Sequence, residues 1–159
     1  MELLGRDETG RRYYCVRYSR GCLRAYPWRK SRFDAGIFVN KSTADEEVEA
    51  CIRELIGQNN DWIYTFGSDS KRWHDRIDEI SVEEGRQKQV GDGSPMTAWF
   101  ERVKTLNHLR TSYFHGAYTT LIVLVGFGDK EAKQIEGFKK TLRPNKPLKR
   151  DAAKKRRAS

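Results

Sequence analysis

The fold class this sequence predicts is α/β: a three-layer sandwich around a mainly parallel four-stranded sheet. Three observations point to it. Apolar runs of strand length recur at 34–40, 61–66, 96–103 and 119–128, and they are nearly continuous rather than alternating, as in strands covered on both faces. Between and after them lie segments whose apolar residues recur at helical spacing. Strands that alternate with helices need crossover connections, and crossovers join parallel strands. Outside this core, residues 1–33 read as a basic extension and 143–159 as a flexible basic tail, leaving 34–142 as the domain.

In the extension, RRYYCVRYSRGCLRAYPW carries aromatic and β-branched residues on both sides of Ser19-Arg20-Gly21, the pattern of a β-hairpin turning there. DAGIFVN (34–40) opens the domain with Ile37, Phe38 and Val39 in succession. In KSTADEEVEACIRELIGQ, Thr43 and Glu46 have capping-box spacing. Val48, Cys51, Ile52, Leu55 and Ile56 form one helical stripe, and Gly57 is placed to end it in a left-handed turn. DWIYTF is the second strand. The helix that begins near Ser70, with Asp69 as its candidate N-cap, turns Trp73, Ile77 and Ile80 inward and stops before the polar loop 83–95.

MTAWFERV (96–103) is the third strand. TLNHLRTSYFHG (105–116) places Leu106, Leu109, Tyr113 and Phe114 on one helical face and ends at Gly116. TTLIVLVGFG (119–128) is the most hydrophobic run and so a central strand. A last helix over 129–142 takes Asp129 as N-cap, turns Ala132, Ile135, Phe138 and Leu142 inward, and is stopped by Pro144. The segment RPNKPLKRDAAKKRRAS has almost nothing to bury and on its own should stay disordered.

The composition bounds the function. The net charge of +9 is unevenly spread: residues 1–33 carry nine Lys/Arg against three acids, 34–129 ten against sixteen, and 130–159 twelve against three. An acidic middle between two basic ends favours a polyanionic partner, through steering and counterion release. No apolar run is long enough to span a bilayer, and MELLGRDETGRR lacks the apolar stretch of a secretory signal. Cys15, Cys22 and Cys51 make an odd count with no second pair at zinc-ligand spacing, so we read them as reduced thiols with Cys51 in the core. His108 and His115 stand seven apart and would hold a metal only with carboxylates brought from elsewhere. We expect neither metal nor cofactor.

Two candidate sites follow. Arg11, Arg12, Arg17, Arg20, Arg24, Arg29, Lys30 and Arg32 interleave with Tyr13, Tyr14, Tyr18, Tyr26 and Trp28, a mixture suited to phosphate contact plus base stacking. In the tail, Lys149-Arg150 and Lys154-Lys155-Arg156-Arg157 can neutralise phosphates without reading bases. The second site is an anion pocket at the carboxyl ends of the strands, where open parallel sheets bind ligands. It would use Ser68, Asp69, Ser70 and Asp129. Both aspartates also suit helix caps, and neither loop carries a phosphate-binding glycine motif or lysine. Asp69, Asp75 and Asp78 are the catalytic alternative. His74, Asp75, Asp78 and Glu79 otherwise read as a charged helix face neutralised by Arg72 and Arg76.

Residues 34–126 resemble a small uncharacterised bacterial α/β domain family. Two blocks carry the likeness: WIYTFGSDSKRWHDRID, with Gly67, Trp73, Asp75 and Asp78 at the family's positions, and MTAWFERVKTLNHL, with Met96, Thr97 and Trp99. Acidic residues and a histidine commonly follow the second block in that family, where this chain has Phe100, Glu101, Arg102 and Val103. The resemblance implies a fold and no reaction.

The functional expectation is a cytoplasmic, non-catalytic accessory protein that binds nucleic acid or nucleoprotein through its basic ends (nuclear in a eukaryote). An acidic protein surface is the other partner of fitting charge. One alternative is a partner-specific adaptor of the kind found in phage and defence systems. The other is a nucleotide- or phosphate-ester-binding enzyme with its site at the strand ends.

Overall fold

The computed structural model describes residues 1–25, 32–85, 95–103, 106, 109, 111–114, 119–127 and 132–142. Among them are six strands, β1 (Glu2–Arg6), β2 (Arg12–Arg17), β3 (Phe33–Val39), β4 (Asn60–Phe66), β5 (Met96–Phe100) and β6 (Thr119–Val125). There are three α-helices, α1 (Asp45–Ile56), α2 (Ser70–Glu83) and α3 (Ala132–Lys139). All six strands belong to one sheet in the order β1-β2-β6-β3-β4-β5. Its parallel part is five strands wide, and β1 pairs antiparallel with β2 at one edge.

The α/β class is as expected, but the sheet has six strands rather than four. The difference lies in RYYCVR. Its pattern suggests one arm of a hairpin turning at Ser19–Gly21; it is instead β2, hydrogen-bonded in parallel to β6 over Arg12–Arg17. The hairpin that does exist is β1–β2, whose connection spans Asp7 to Arg11. There Asp7 Oδ1 accepts hydrogen bonds from the Thr9 N–H (2.9 Å), the Thr9 hydroxyl (2.6 Å) and the Arg11 N–H (3.0 Å). Asp7 Oδ2 accepts one from the Tyr13 hydroxyl at 3.0 Å. Gly10 takes the left-handed φ of +88° that closes the turn.

Partial burial works to raise the Asp7 carboxyl, but the bonds from Thr9, Tyr13 and the turn's backbone outweigh it and hold the group below its ordinary 3.8. A depressed carboxylate contributes stability above its unfolded value, and that contribution is lost as pH falls through the folded value. We therefore expect Asp7→Asn to be less stable than wild type at neutral pH, with the gap closing below 3.8. Urea midpoints measured across pH check this; a gap independent of pH would contradict it.

Each face of the sheet has its own core. On one, Val16, Ala35, Ile37, Ile63, Leu121 and Val123 pack against α1, α2 and the short 3-10 turn Cys22–Ala25. The stripes read from the sequence do this work: Val48, Cys51, Ile52, Leu55 and Ile56 of α1, and Trp73, Ile77 and Ile80 of α2, are all buried. On the other face, Tyr13, Cys15, Phe38, Tyr64, Ile122 and Leu124 meet α3 and the segment following β5. Of the helix expected over 105–116, none of the described residues is α-helical: Thr111–Tyr113 is a 3-10 turn and Leu106 also has 3-10 geometry, although Leu106, Leu109 and Phe114 are buried as the spacing required. α3 begins at Ala132, which is exposed rather than inward; Ile135, Phe138 and Leu142 are buried.

Two caps also differ. No capping box forms at α1: its N-cap is Ala44, and the Thr43 hydroxyl instead donates to the Val125 carbonyl at 3.3 Å. Gly57 does end α1, but with a right-handed φ of −68°. Gly116, Asp129 and Pro144 lie outside the described residues.

Candidate functional site

Order in the sheet fixes where a strand-end ligand would sit. β3 leads into α1 on one face, and its neighbour β6 leads into α3 on the other, so the crevice between their carboxyl ends is the switch point. It is laced shut. Asn40 Nδ2 donates to the Gly126 carbonyl (3.1 Å), the Asn40 N–H donates to the Val125 carbonyl (3.0 Å), and Thr43 closes on the same carbonyl. Of the expected anion pocket, Ser68 to Ser70 follow β4, and β3 stands between them and the end of β6. Asp69 occupies the N-cap position of α2 without a side-chain cap bond, Ser68 is exposed, and Ser70 is buried. Asp129 falls outside the described residues.

α2 and β5 bring the two motif blocks together. His74, on α2, places Nε2 3.1 Å from the Thr97 hydroxyl of β5, which donates to Asp78 Oδ1 at 3.0 Å. A hydroxyl has one proton; given to Asp78, it leaves a lone pair for an Nε2–H of His74. His74 Nδ1 lies 3.2 Å from Asp75 Oδ1, and Lys71 Nζ reaches Asp75 Oδ2 at 2.8 Å. The Lys71 bond and the His74 contact hold the Asp75 carboxyl below its ordinary range. The exposed Trp99 ring meets His74 edge-on, with centroids 4.6 Å apart. Thr97 and Trp99 thus complete a polar cluster of which the sequence showed only the α2 half. The single visible signal was that both blocks belonged to one resemblance.

Across the other side of α2, Arg76 Nε binds Glu49 of α1 at 2.7 Å, and its NH1 binds Glu79 (2.9 Å) and Glu83 (3.0 Å). These carboxylates push the Arg76 guanidinium further up. Arg53 binds Glu83 and Glu84, and Arg72 pairs with Asp45. Many of the acids that make the middle of the chain negative are therefore answered within it. The charged helix face we expected is real, with one change: Arg72 neutralises α1 rather than Asp75.

Among the described residues, the basic side chains expected at the N-terminal interface divide into two groups. Arg11 binds the fully buried Asp34 at 3.2 Å, and Arg32 binds Asp61 at 2.8 Å. Arg12, Arg17, Arg20 and Arg24 are exposed. Arg12 donates to the Thr119 hydroxyl (3.4 Å), and among the described residues no carboxylate lies within 4.0 Å of Arg12, Arg20 or Arg24. Arg17 borders a hollow of about 470 Å³ shared with Glu2, Cys15, Cys22 and Ile135. Burial pushes the Cys15 thiol up to about 12.

Two of the expected aromatic partners are not available for stacking. Tyr13 and Tyr18 are buried with their hydroxyls on Asp7 and Glu54. Burial, reinforced by those carboxylates, pushes both phenols up. Tyr14 is half-buried. Arg29, Lys30, Tyr26, Trp28 and the tail residues Lys149, Arg150, Lys154, Lys155, Arg156 and Arg157 lie outside the described residues.

Among the described residues no helix is long and apolar enough to cross a membrane. No curated protein matches the chain. A family model described as a domain of unknown function (DUF7684) matches residues 14–140, which takes in both motif blocks, β3 to β6 whole and β2 from Tyr14 onward. The chain belongs to that family, which has no established activity.

Proposed function

We propose that this protein binds nucleic acid, RNA in the first instance, as a non-catalytic accessory factor in the cytoplasm. Arg12, Arg17, Arg20 and Arg24 together with the basic tail supply the contacts. The observation that carries this reading is the separation of charge. On α1 and α2, Asp45, Glu49, Glu79 and Glu83 are paired with arginines of the same helices and Asp75 with Lys71, while Arg12, Arg20 and Arg24 stand exposed with no carboxylate nearby among the described residues. Residues 130–159 add twelve basic groups against three acidic ones. Such a surface neutralises phosphates without reading bases, so the binding is weakly sequence-selective. With Tyr13 and Tyr18 in the core, the mode is electrostatic contact rather than stacking on those rings.

Fluorescence anisotropy with a labelled single-stranded RNA tests this. We expect the chain shortened to residues 1–142 to lose most of its affinity. The triple variant Arg12→Ala, Arg20→Ala, Arg24→Ala should weaken binding and flatten the salt dependence by about 2 to 3 units of slope, at roughly 0.7–0.9 for each phosphate no longer neutralised. Affinity unchanged in both variants would remove the reading.

A further inference from the structure

We infer that Arg6, Arg12 and Thr119 form a binding site for one phosphomonoester dianion, on the sheet beside the β1–β2 turn. Three strands place these residues in one row. Arg6 of β1 stands opposite Arg12 of β2, and Arg12 stands opposite Thr119 of β6. Residues opposite one another in a ladder send their side chains to the same face, with Cβ atoms about 5 Å apart. The alignment depends on the irregularity between Leu3 and Gly5. Leu3 pairs with Tyr14, so an unbroken register would set Gly5 opposite Arg12; the extra residue brings Arg6 there instead.

Facing like charges destabilise a strand pair, and no acid of the described chain answers these. Among the described residues no carboxylate lies within 4.0 Å of Arg6 or Arg12, and Arg6 Nε is shielded from water without an acceptor. The neighbouring acids are engaged elsewhere. Both Asp7 oxygens accept hydrogen bonds within the turn and from Tyr13, and Asp34 is held by Arg11. Thr119 is buried and accepts from Arg12 NH2 at 3.4 Å, which steadies one arm of that guanidinium. Arg12 itself is exposed, as is Leu3 in the next pair along the ladder, so the row opens to solvent on its β1–β2 side.

The ligand follows from the donors. Two planar, permanently charged forks converge with no counter-charge between them. A carboxylate has two coplanar oxygens and is satisfied by one fork, whereas the tetrahedral oxygens of a phosphate can bridge two. A phosphomonoester carries −1.5 to −2 at neutral pH, roughly the charge of the arginine pair, and a diester only about half of that.

A 31P NMR titration of the full chain at fixed ionic strength tests the proposal, with methyl phosphate as the monoester and dimethyl phosphate as the diester. We expect methyl phosphate to bind at least ~10-fold more tightly than dimethyl phosphate, and Arg6→Ala to weaken it at least ~10-fold. Arg12→Lys keeps the charge but loses the fork, and should weaken it as well. Equal binding of the two esters, no saturation by methyl phosphate up to ~50 mM, or wild-type affinity in Arg6→Ala overturns the proposal. If circular dichroism shows Arg6→Ala unfolded, Arg12→Lys decides in its place, and unchanged affinity there overturns it. Two sources supply this chemistry, and a short RNA with a 5′-phosphate, the same RNA with a 5′-hydroxyl and a 5′-mononucleotide distinguish them. A 5′-phosphate that tightens RNA binding in wild type but not in the variant assigns the site to a nucleic-acid end. A mononucleotide that binds as tightly as the phosphorylated RNA assigns it to free phosphate esters.

Discussion

Gly126→Ala should cost about 3 kcal/mol or more and lower the melting temperature by roughly 6–12 °C. Two physical terms add. Gly126 holds φ at +73°, a conformation in which an L side chain is strained. A Cβ at this position would also overlap the Thr43 hydroxyl and stand 2.9 Å from the Thr43 Cβ. The neighbour cannot step aside cheaply, because its hydroxyl is held on the Val125 carbonyl in the lacing that closes β3 against β6. The double variant Thr43→Gly, Gly126→Ala separates the two terms. We expect it to recover part of the loss, leaving the backbone strain. A double variant whose loss equals the sum of the singles would show that the overlap has no energetic weight.

Glu54→Ala should be comparably severe, about 3–5 kcal/mol in a urea unfolding experiment. Glu54 sits on α1 among the apolar stripe and is 8% exposed. Its Oε1 accepts from the Tyr18 hydroxyl (2.9 Å) and the Gly21 N–H (2.6 Å), and its Oε2 from the Leu23 N–H (3.3 Å). It is in effect the clasp that folds the β2–β3 connection against α1. Alanine leaves a buried hydroxyl and two backbone donors with no acceptor, each worth roughly 1–3 kcal/mol. Glu54→Gln keeps one oxygen but turns an amide toward N–H donors, and should recover less than half of the loss. Full recovery by glutamine would mean that one acceptor is enough.

What the sequence reveals, and what it hides, follows from the range of each interaction. The stripes of α1 and α2 are legible because residues three and four apart share a helix face whatever surrounds them. The continuous apolar runs of β3, β4 and β6 are legible because strands covered on both faces need them. β2 escapes a local reading because the parallel ladder of Tyr13–Val16 with Thr120–Val123 spans over a hundred residues, while Gly21 offers a turn nearby. Leu106, Leu109 and Phe114 are buried although none of the described residues of 105–116 is α-helical, since burial depends on which residues are apolar and less on the backbone that carries them. The candidate site is half visible: His74, Asp75 and Asp78 are neighbours in the chain, but Thr97 and Trp99 join them only through the packing of α2 on β5. The basic residues of the N-terminal segment stand out as a group, yet nothing local distinguishes Arg11, held by Asp34 twenty-three residues away, from Arg12 beside it.

If the positive surface is where this protein works, the most direct measurement is affinity for a single-stranded RNA against salt concentration. Between 50 and 200 mM salt, roughly, we expect the logarithm of the binding constant to fall linearly with a slope steeper than about −3, and reversing Arg12, Arg20 and Arg24 to glutamate should abolish most binding. A flat salt profile, or binding that survives the three reversals, would contradict it.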